Sequence, residues 1–211
     1  IGYHLAKGLA ERGYRLLLIA RNEDKLISVC KEIKNQHPMI PEPQYAALDV
    51  TNFVKIDKLL TDLEIRQEKI SVLINNAGIW LEGTLEPSVE ELNKILKVNV
   101  VSPFLFMKKV GKLMKSNKEG HIINISSRAG KYGFPGSGIY SASKFGLNGL
   151  TESLYREYVS TGVKVTTICP GWVNTDMAFE ANSPYKAAEM IQPEDIVKAV
   201  KFLLDLSGPT C

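Results

Sequence analysis

The sequence predicts a doubly wound parallel α/β sheet flanked by helices, and three observations carry that expectation. Short, nearly all-apolar runs at residues 16–20, 72–74 and 122–125 have the composition of strands buried on both faces. They alternate with stretches of helical periodicity long enough to return the chain to the same edge of one sheet. Finally, 211 residues that are 45% hydrophobic and 23% charged have the make-up of one globular domain, not of a coiled coil, a collagen or a disordered tail.

The elements follow in order. Leu5, Leu9 and Ala10 repeat at helical spacing, and Gly13 stops that helix. Residues 15–20 form the first strand. Leu26, Val29, Cys30 and Ile33 mark the inner face of the next helix, and Pro38, Pro41 and Pro43 punctuate the loop before a strand at 44–48. Thr51 is placed to cap a third helix with Val54, Leu59, Leu60 and Leu63 facing inward. Residues 71–74 are a strand. Residues 89–101 and 103–115 read as two helices, the second with Pro103 in its first turn, where a missing N–H costs nothing. A strand at 121–125 leads into a glycine-rich loop over 130–138 and a long helix over 140–158, with Leu147, Leu150, Leu154 and Tyr158 on one side. The last strand is 163–169, a loop runs through Pro184, and 193–206 close the chain as a helix.

Composition excludes several functions. Lys plus Arg number 26 against 23 Asp plus Glu, a net charge of +3 with the signs interspersed, so no nucleic-acid partner is expected. The cysteines Cys30, Cys169 and Cys211 and the histidines His4, His37 and His121 are scattered without ligand spacing. That pattern predicts no metal site and no disulfide framework, and it suits a reducing, cytoplasmic compartment. No apolar run is long enough to span a bilayer, so no membrane partner is expected.

The chemistry concentrates in Tyr140-Ser-Ala-Ser-Lys144. A tyrosine and a lysine four apart on a helix share one face, and a nearby ammonium favours the phenolate of a group whose reference pKa is about 10. Ser127 stands where a strand gives way to loop, at the carboxyl edge where open α/β sheets bind ligands, and its hydroxyl can hold a carbonyl oxygen while a phenol donates to it. Asn75-Asn76-Ala77-Gly78 ends another apolar strand at the same edge.

Five motifs in one order give the chain its resemblance. NNAG at 75–78, Asn99 within Lys-Val-Asn-Val, ISS at 125–127, YSASK at 140–144 and PGWVNT at 170–175 resemble the short-chain dehydrogenase/reductase family, whose fold is Rossmann-like, over essentially the whole chain. The resemblance implies that Tyr140 is the general acid/base, that Ser127 polarises the substrate carbonyl, and that Lys144 lowers the tyrosine pKa and binds the nicotinamide ribose. It implies that Asn99 supports a water in a proton relay. By the same resemblance Thr175 bonds the nicotinamide carboxamide, with Pro170, Gly171 and Val173 around the ring. Asp49 lies by the adenine, Asn76, Ala77 and Gly78 lie along the adenosine ribose, and Gly2 belongs to the glycine turn at the pyrophosphate.

Arg21 follows the first strand, where an acidic residue would favour a free 2′-hydroxyl. A guanidinium suits a 2′-phosphate, so NADP(H) is expected in preference to NAD(H). The implied reaction is hydride transfer between nicotinamide and the carbonyl or secondary alcohol of a small molecule, as in a ketone or 3-oxoacyl reductase. Trp80, Leu81, Phe134, Trp172, Met177 and Phe179 are candidate apolar walls of the pocket, and 174–190 a lid over it. Two alternatives stand: an NAD-linked alcohol dehydrogenase, and a non-catalytic dinucleotide-binding protein on the same fold. Surplus apolar positions on the helices at 102–115 and 140–158 imply a homodimer or homotetramer. The family's first strand and most of its glycine turn lie ahead of Ile1-Gly2, and a last strand lies beyond 207–211. The expectation is therefore a single dinucleotide-binding domain over 1–211, truncated at both ends, that binds cofactor weakly by itself.

Overall fold

A strand buried on both faces has to send alternate side chains into two different cores, and β4 (Gly120–Ile125) does so. All six of its residues are buried. Ile122 enters a cluster with Ile56, Leu60, Val110, Met114, Leu147 and Val165, whereas Ile123 and Ile125 enter one with Leu5, Val173, Ile196 and Val200. In the computed structural model, residues 1–66 and 68–207 are described. Among them α3 (Phe53–Ile65), α5 (Ser102–Asn117) and α6 (Gly138–Tyr158) cover one face, and α1 (Gly2–Ala10) and α8 (Pro193–Asp205) the other. Helices on both faces of parallel strands make the fold the Rossmann-like α/β architecture expected.

The strands lie in two groups. β1 (Leu17–Ala20) pairs with β2 (Gln44–Ala47), and β3 (Val72–Asn75) pairs with β4, which pairs with β5 (Val163–Ile168), all in parallel. No backbone pairing joins β1 to β3 among the described residues, and side chains bridge them instead: Ile19 and Leu73 meet one core cluster, Leu18 and Ile74 another. A third cluster of Ala6, Leu9, Ala10, Leu16, Ile33 and Ile40 packs α1 against α2 (Glu23–Gln36). From Gly208 on, the residues expected to lead into a final strand, Cys211 included, lie outside the described residues.

Three local expectations are corrected. The cap of α3 is Asn52, whose side chain accepts from the Lys55 N–H at 3.1 Å, while the Thr51 hydroxyl turns back to Asp49 at 2.7 Å. With the helix begun one residue later, Ile56 and Leu60 face inward, and Val54 is 81% exposed. The two helices expected over 89–115 are one rod. α4 (Val89–Leu96), opened by a capping box between Ser88 and Glu91, runs through a π-helical turn at Lys97–Val101 directly into α5. The reason is Pro103, which has no N–H for the carbonyl four residues back, that of Asn99. The backbone widens there, and the Ser102 N–H reaches five back to Lys97.

His121 sits in β4 at 3% exposure, with Nε2 2.9 Å from the Thr166 hydroxyl and Nδ1 without a partner. Burial, reinforced by the Lys164 charge, lowers its pKa to about 4. The unfolded chain therefore takes up a proton between pH 6.5 and 4 that the folded chain refuses, and stability falls as the pH drops through that window, by about 3 kcal/mol for the full shift. Urea unfolding at pH 7 and pH 4.5 should show wild type losing more stability than His121→Gln. Equal losses would contradict this reading.

Candidate active site

The ends of β3, β4 and β5 share one edge, and the backbone there is fixed before any side chain is considered. The Ser126 N–H donates to Ile168 O at 2.8 Å and the Arg128 N–H to Pro170 O at 2.8 Å, so the chain beyond β4 stays zipped to the chain beyond β5. Ser127 lies between them with extended backbone, its hydroxyl accepting from the Ala129 N–H at 3.1 Å. The start of α6 is pinned across from it. Gly83 and Gly136 bond through N–H and carbonyl at 2.6 Å, and a Cβ on Gly138 would stand 2.6 Å from the Thr84 side chain. Only a glycine lets the helix begin that close.

This start brings Tyr140 to Ser127 and Lys144 to the end of β4. Lys144 is 5% exposed, donates to Ile125 O at 3.2 Å, and lies 5.7 Å from the centre of the Tyr140 ring. Burial lowers the ammonium from its ordinary 10.5 to about 8, against a small opposing effect of Cys169. Burial also raises the Tyr140 phenol above its usual value, and its hydrogen bond with Ser127 pulls it partly back. Desolvation is thus the largest effect on both groups, and Ser127 opposes it at the phenol. A hydroxyl, a phenol and an ammonium converging on one edge can hold an oxygen and move a proton to it.

Asn99 is 1% exposed in the π turn. Its Oδ1 accepts from the Ile79 N–H at 2.9 Å, and its Nδ2 donates to Ile79 O at 2.9 Å and to the Ser143 hydroxyl at 3.0 Å. It thus clamps the loop that follows Gly78. A Cβ on Gly78 would meet Asn99 Oδ1 at 3.4 Å and Lys144 Nζ at 3.5 Å, so the absent side chain keeps that cradle open. A dinucleotide fits these residues: Lys144 has two ammonium protons beyond the one given to Ile125, the buried Ser126 and Ser141 hydroxyls have no partner, and Gly171 faces open space.

The remaining sequence candidates surround this centre. Val173 bridges to Ile191, the Asn174 N–H donates to Ile191 O, and Thr175 bonds back to Val173 O. The segment expected as a lid thus has its two ends fastened together around α7 (Asp176–Glu180). Phe179 is 52% exposed, while Trp80, Leu81, Phe134, Trp172 and Met177 are half-buried. At the far end Arg21 is exposed after β1, within electrostatic reach of Asp49, whose carboxylate is held low by the Thr51 hydroxyl and N–H. Asn76 is half-buried and Ala77 exposed, and a Cβ on Gly2 would strike Asn76 Nδ2 at 2.7 Å. Among the described residues no group of three His, Cys, Asp or Glu could hold a metal, and no helix is long and apolar enough to cross a membrane.

A family model for short chain dehydrogenases matches residues 1–186. The chain belongs to the short-chain dehydrogenase/reductase family. It is an oxidoreductase, as are the relatives it matches. It is 32% identical to a 3-oxoacyl-[acyl-carrier-protein] reductase from Vibrio cholerae over 96% of this chain and 84% of that protein. Among solved structures, a betaketoacyl-[ACP] reductase from Bacteroides thetaiotaomicron has 40% identity and a TM-score of 0.85, over 98% of this chain and 86% of the other. A metagenomic short-chain oxidoreductase in complex with NADP has 32% identity and a TM-score of 0.82, over 97% and 86%.

Sequence reasoning passed over a buried polar chain beneath the site. Asn75 Nδ2 donates to Asn124 Oδ1 at 2.7 Å, Asn124 Nδ2 to the Thr151 hydroxyl at 2.8 Å, and that hydroxyl to Leu147 O at 2.6 Å. The available signal was an asparagine in each of two apolar strands, and the two prove to be register partners. Asn124→Ala strands Asn75 and Thr151 in the core, and the cost should be about 3 kcal/mol of stability by denaturant unfolding. A loss below about 0.5 kcal/mol would show the chain to be expendable.

Proposed function

We propose that this oxidoreductase reduces the carbonyl of a small molecule, a ketone or 3-oxoacyl compound, with NADPH. The observation that carries the reading is the convergence of Ser127, Tyr140 and Lys144 on one sheet edge, with Lys144 bonded to the last carbonyl of β4 and 5.7 Å from the centre of the Tyr140 ring. The carbonyl oxygen takes the place between the two hydroxyls. Ser127 donates to it, and Tyr140 passes it a proton as the carbon gains a hydride. NADPH supplies that hydride when bound. Lys144 binds the nicotinamide ribose and keeps positive charge beside the phenol, and Asn99 supports the water through which the proton is replaced. Thr175, Pro170, Gly171 and Val173 frame the nicotinamide. Asn76, Ala77, Gly78 and Asp49 hold the adenosine, Gly2 approaches the pyrophosphate and Arg21 takes the 2′-phosphate. The 3-oxoacyl class is favoured by relatives named for it and by the apolar wall residues. The described chain acts as one dinucleotide-binding unit, and Phe104 and Phe145, 44% and 47% exposed on α5 and α6, pair it into a homodimer or homotetramer.

Tyr140→Phe should abolish reduction, by about 1000-fold or more in kcat, while NADPH still binds, as read by nicotinamide fluorescence. A variant that keeps a tenth of the activity would remove Tyr140 from the mechanism. Arg21→Asp should turn the preference from NADPH toward NADH by about 10-fold or more in kcat/KM, because it replaces a guanidinium with a group that repels the phosphate. An unchanged ratio would place the 2′-phosphate elsewhere.

The pH profile has a defined sign. Burial lowers the Lys144 ammonium to about 8 and raises the Tyr140 phenol above its ordinary value, so both are expected to carry their protons below pH 8. Reduction needs both, and kcat/KM should be level below pH 8 and fall about tenfold per unit above it. In Lys144→Met that limb should be missing from a much slower reaction. A profile that rises through pH 8 would refute the assignment.

A further inference from the structure

Ser143, inside the Tyr140-to-Lys144 motif, has its place fixed by bonds that neither hydride nor proton transfer requires. It is wholly buried. Its hydroxyl donates to Tyr140 O at 2.7 Å and accepts from Asn99 Nδ2 at 3.0 Å. A serine hydroxyl has one proton, and here the Tyr140 carbonyl takes it, so Ser143 can meet Asn99 only as an acceptor. Both protons of the Asn99 amide are thereby used, one on Ser143 and one on Ile79 O, and Oδ1 is left to accept from the Ile79 N–H. The amide has no spare donor and one orientation.

The chain of bonds joins three separate pieces of backbone: the loop after Gly78, the π turn and the first turn of α6. It is the hydrogen-bonded path that ties Asn99 to Tyr140 among the described residues. The Ser143 bond to a carbonyl three residues back in its own helix also holds the hydroxyl against the tyrosine's peptide, a local side-chain bond to the backbone within the first turns of α6.

Resting on the assignment of Tyr140 and Asn99 above, we propose that Ser143 is a positioning residue, one that couples Asn99 to the backbone of Tyr140 and so fixes the phenol relative to the cradle at Gly78. It touches neither substrate nor cofactor and acts only through these two residues. Removing it should leave both ligands bound but misplace the proton donor, and misplacement by a fraction of an ångström slows a positioned reaction without weakening binding.

The test compares wild type, Tyr140→Phe, Ser143→Ala, Ser143→Cys, Asn99→Ala and the double variant Ser143→Ala with Asn99→Ala, in NADPH-dependent reduction of an acetoacetyl thioester. Ser143→Cys nearly keeps the volume and replaces the hydroxyl with a weak hydrogen-bonding thiol, which separates the bond from the packing. Both Ser143 variants should lose about 10-fold or more in kcat, with KM for NADPH and thioester within about twofold of wild type. The double variant should be no slower than Asn99→Ala, because the two residues act as one unit. Active wild type with Ser143→Cys at full kcat, or losses that multiply in the double variant, would overturn the positioning role and leave the reading of the site intact. If Ser143→Ala fails to fold, Ser143→Cys decides by the same criterion. Wild type without reduction, or Tyr140→Phe as active as wild type, would overturn the reading itself and the role with it.

Discussion

A lysine ammonium removed from water is the constraint on which the site depends. Lys144 is nearly inaccessible, and a charge in that position has to be offset by dipoles held in place before it arrives. It donates to the carbonyl of Ile125, the last residue of the most buried strand. That carbonyl is immobile because β4 is paired on both sides and because Ile122, Ile123 and Ile125 fill the two cores. The position of the lysine is thus inherited from packing across the whole sheet.

The rest of the site is a set of ties that keep three loops from drifting relative to that lysine. Arg128 to Pro170 holds the loop after β4 against the loop after β5, Asn99 holds the loop after β3 against the π turn, and Gly83 with Gly136 holds the start of α6. Beneath them, Asn75, Asn124 and Thr151 link β3, β4 and α6 through the core. Each tie uses a polar group that would be costly to bury alone, so each is stable only while its partner is present. The edge of the sheet is rigid for that reason, and a rigid edge suits a reaction whose chemistry consists of orientation.

Much of this is legible in the sequence, and the failures have physical causes. Apolar runs locate β1, β3 and β4, most clearly β4, whose six residues are all buried, whereas β2, exposed at three of its four residues, is delimited by the prolines ahead of it. Ser127, Tyr140 and Lys144 are found by motif, and the fold places them together. What cannot be read are properties of geometry. The π turn follows from a proline acting on a carbonyl four residues away, yet the same proline equally suggests the start of a new helix. Val54 is expected inward when the cap is placed one residue early, and one residue turns a helix face by about 100°. The balance of effects on Tyr140 depends on burial, which no spacing reports. The partnership of Asn75 with Asn124 requires the register of two strands 49 residues apart.

If this edge delivers hydride from NADPH to a carbonyl carbon and a proton to its oxygen, the hydride can be followed from donor to product. The experiment uses NADPH deuterated at the transferable position, an acetoacetyl thioester, and mass analysis of what forms. The expected result is a 3-hydroxyacyl product carrying one deuterium on the carbinol carbon, formed from NADPH well ahead of NADH. A product without deuterium, or no product while the dinucleotide remains bound, would contradict it.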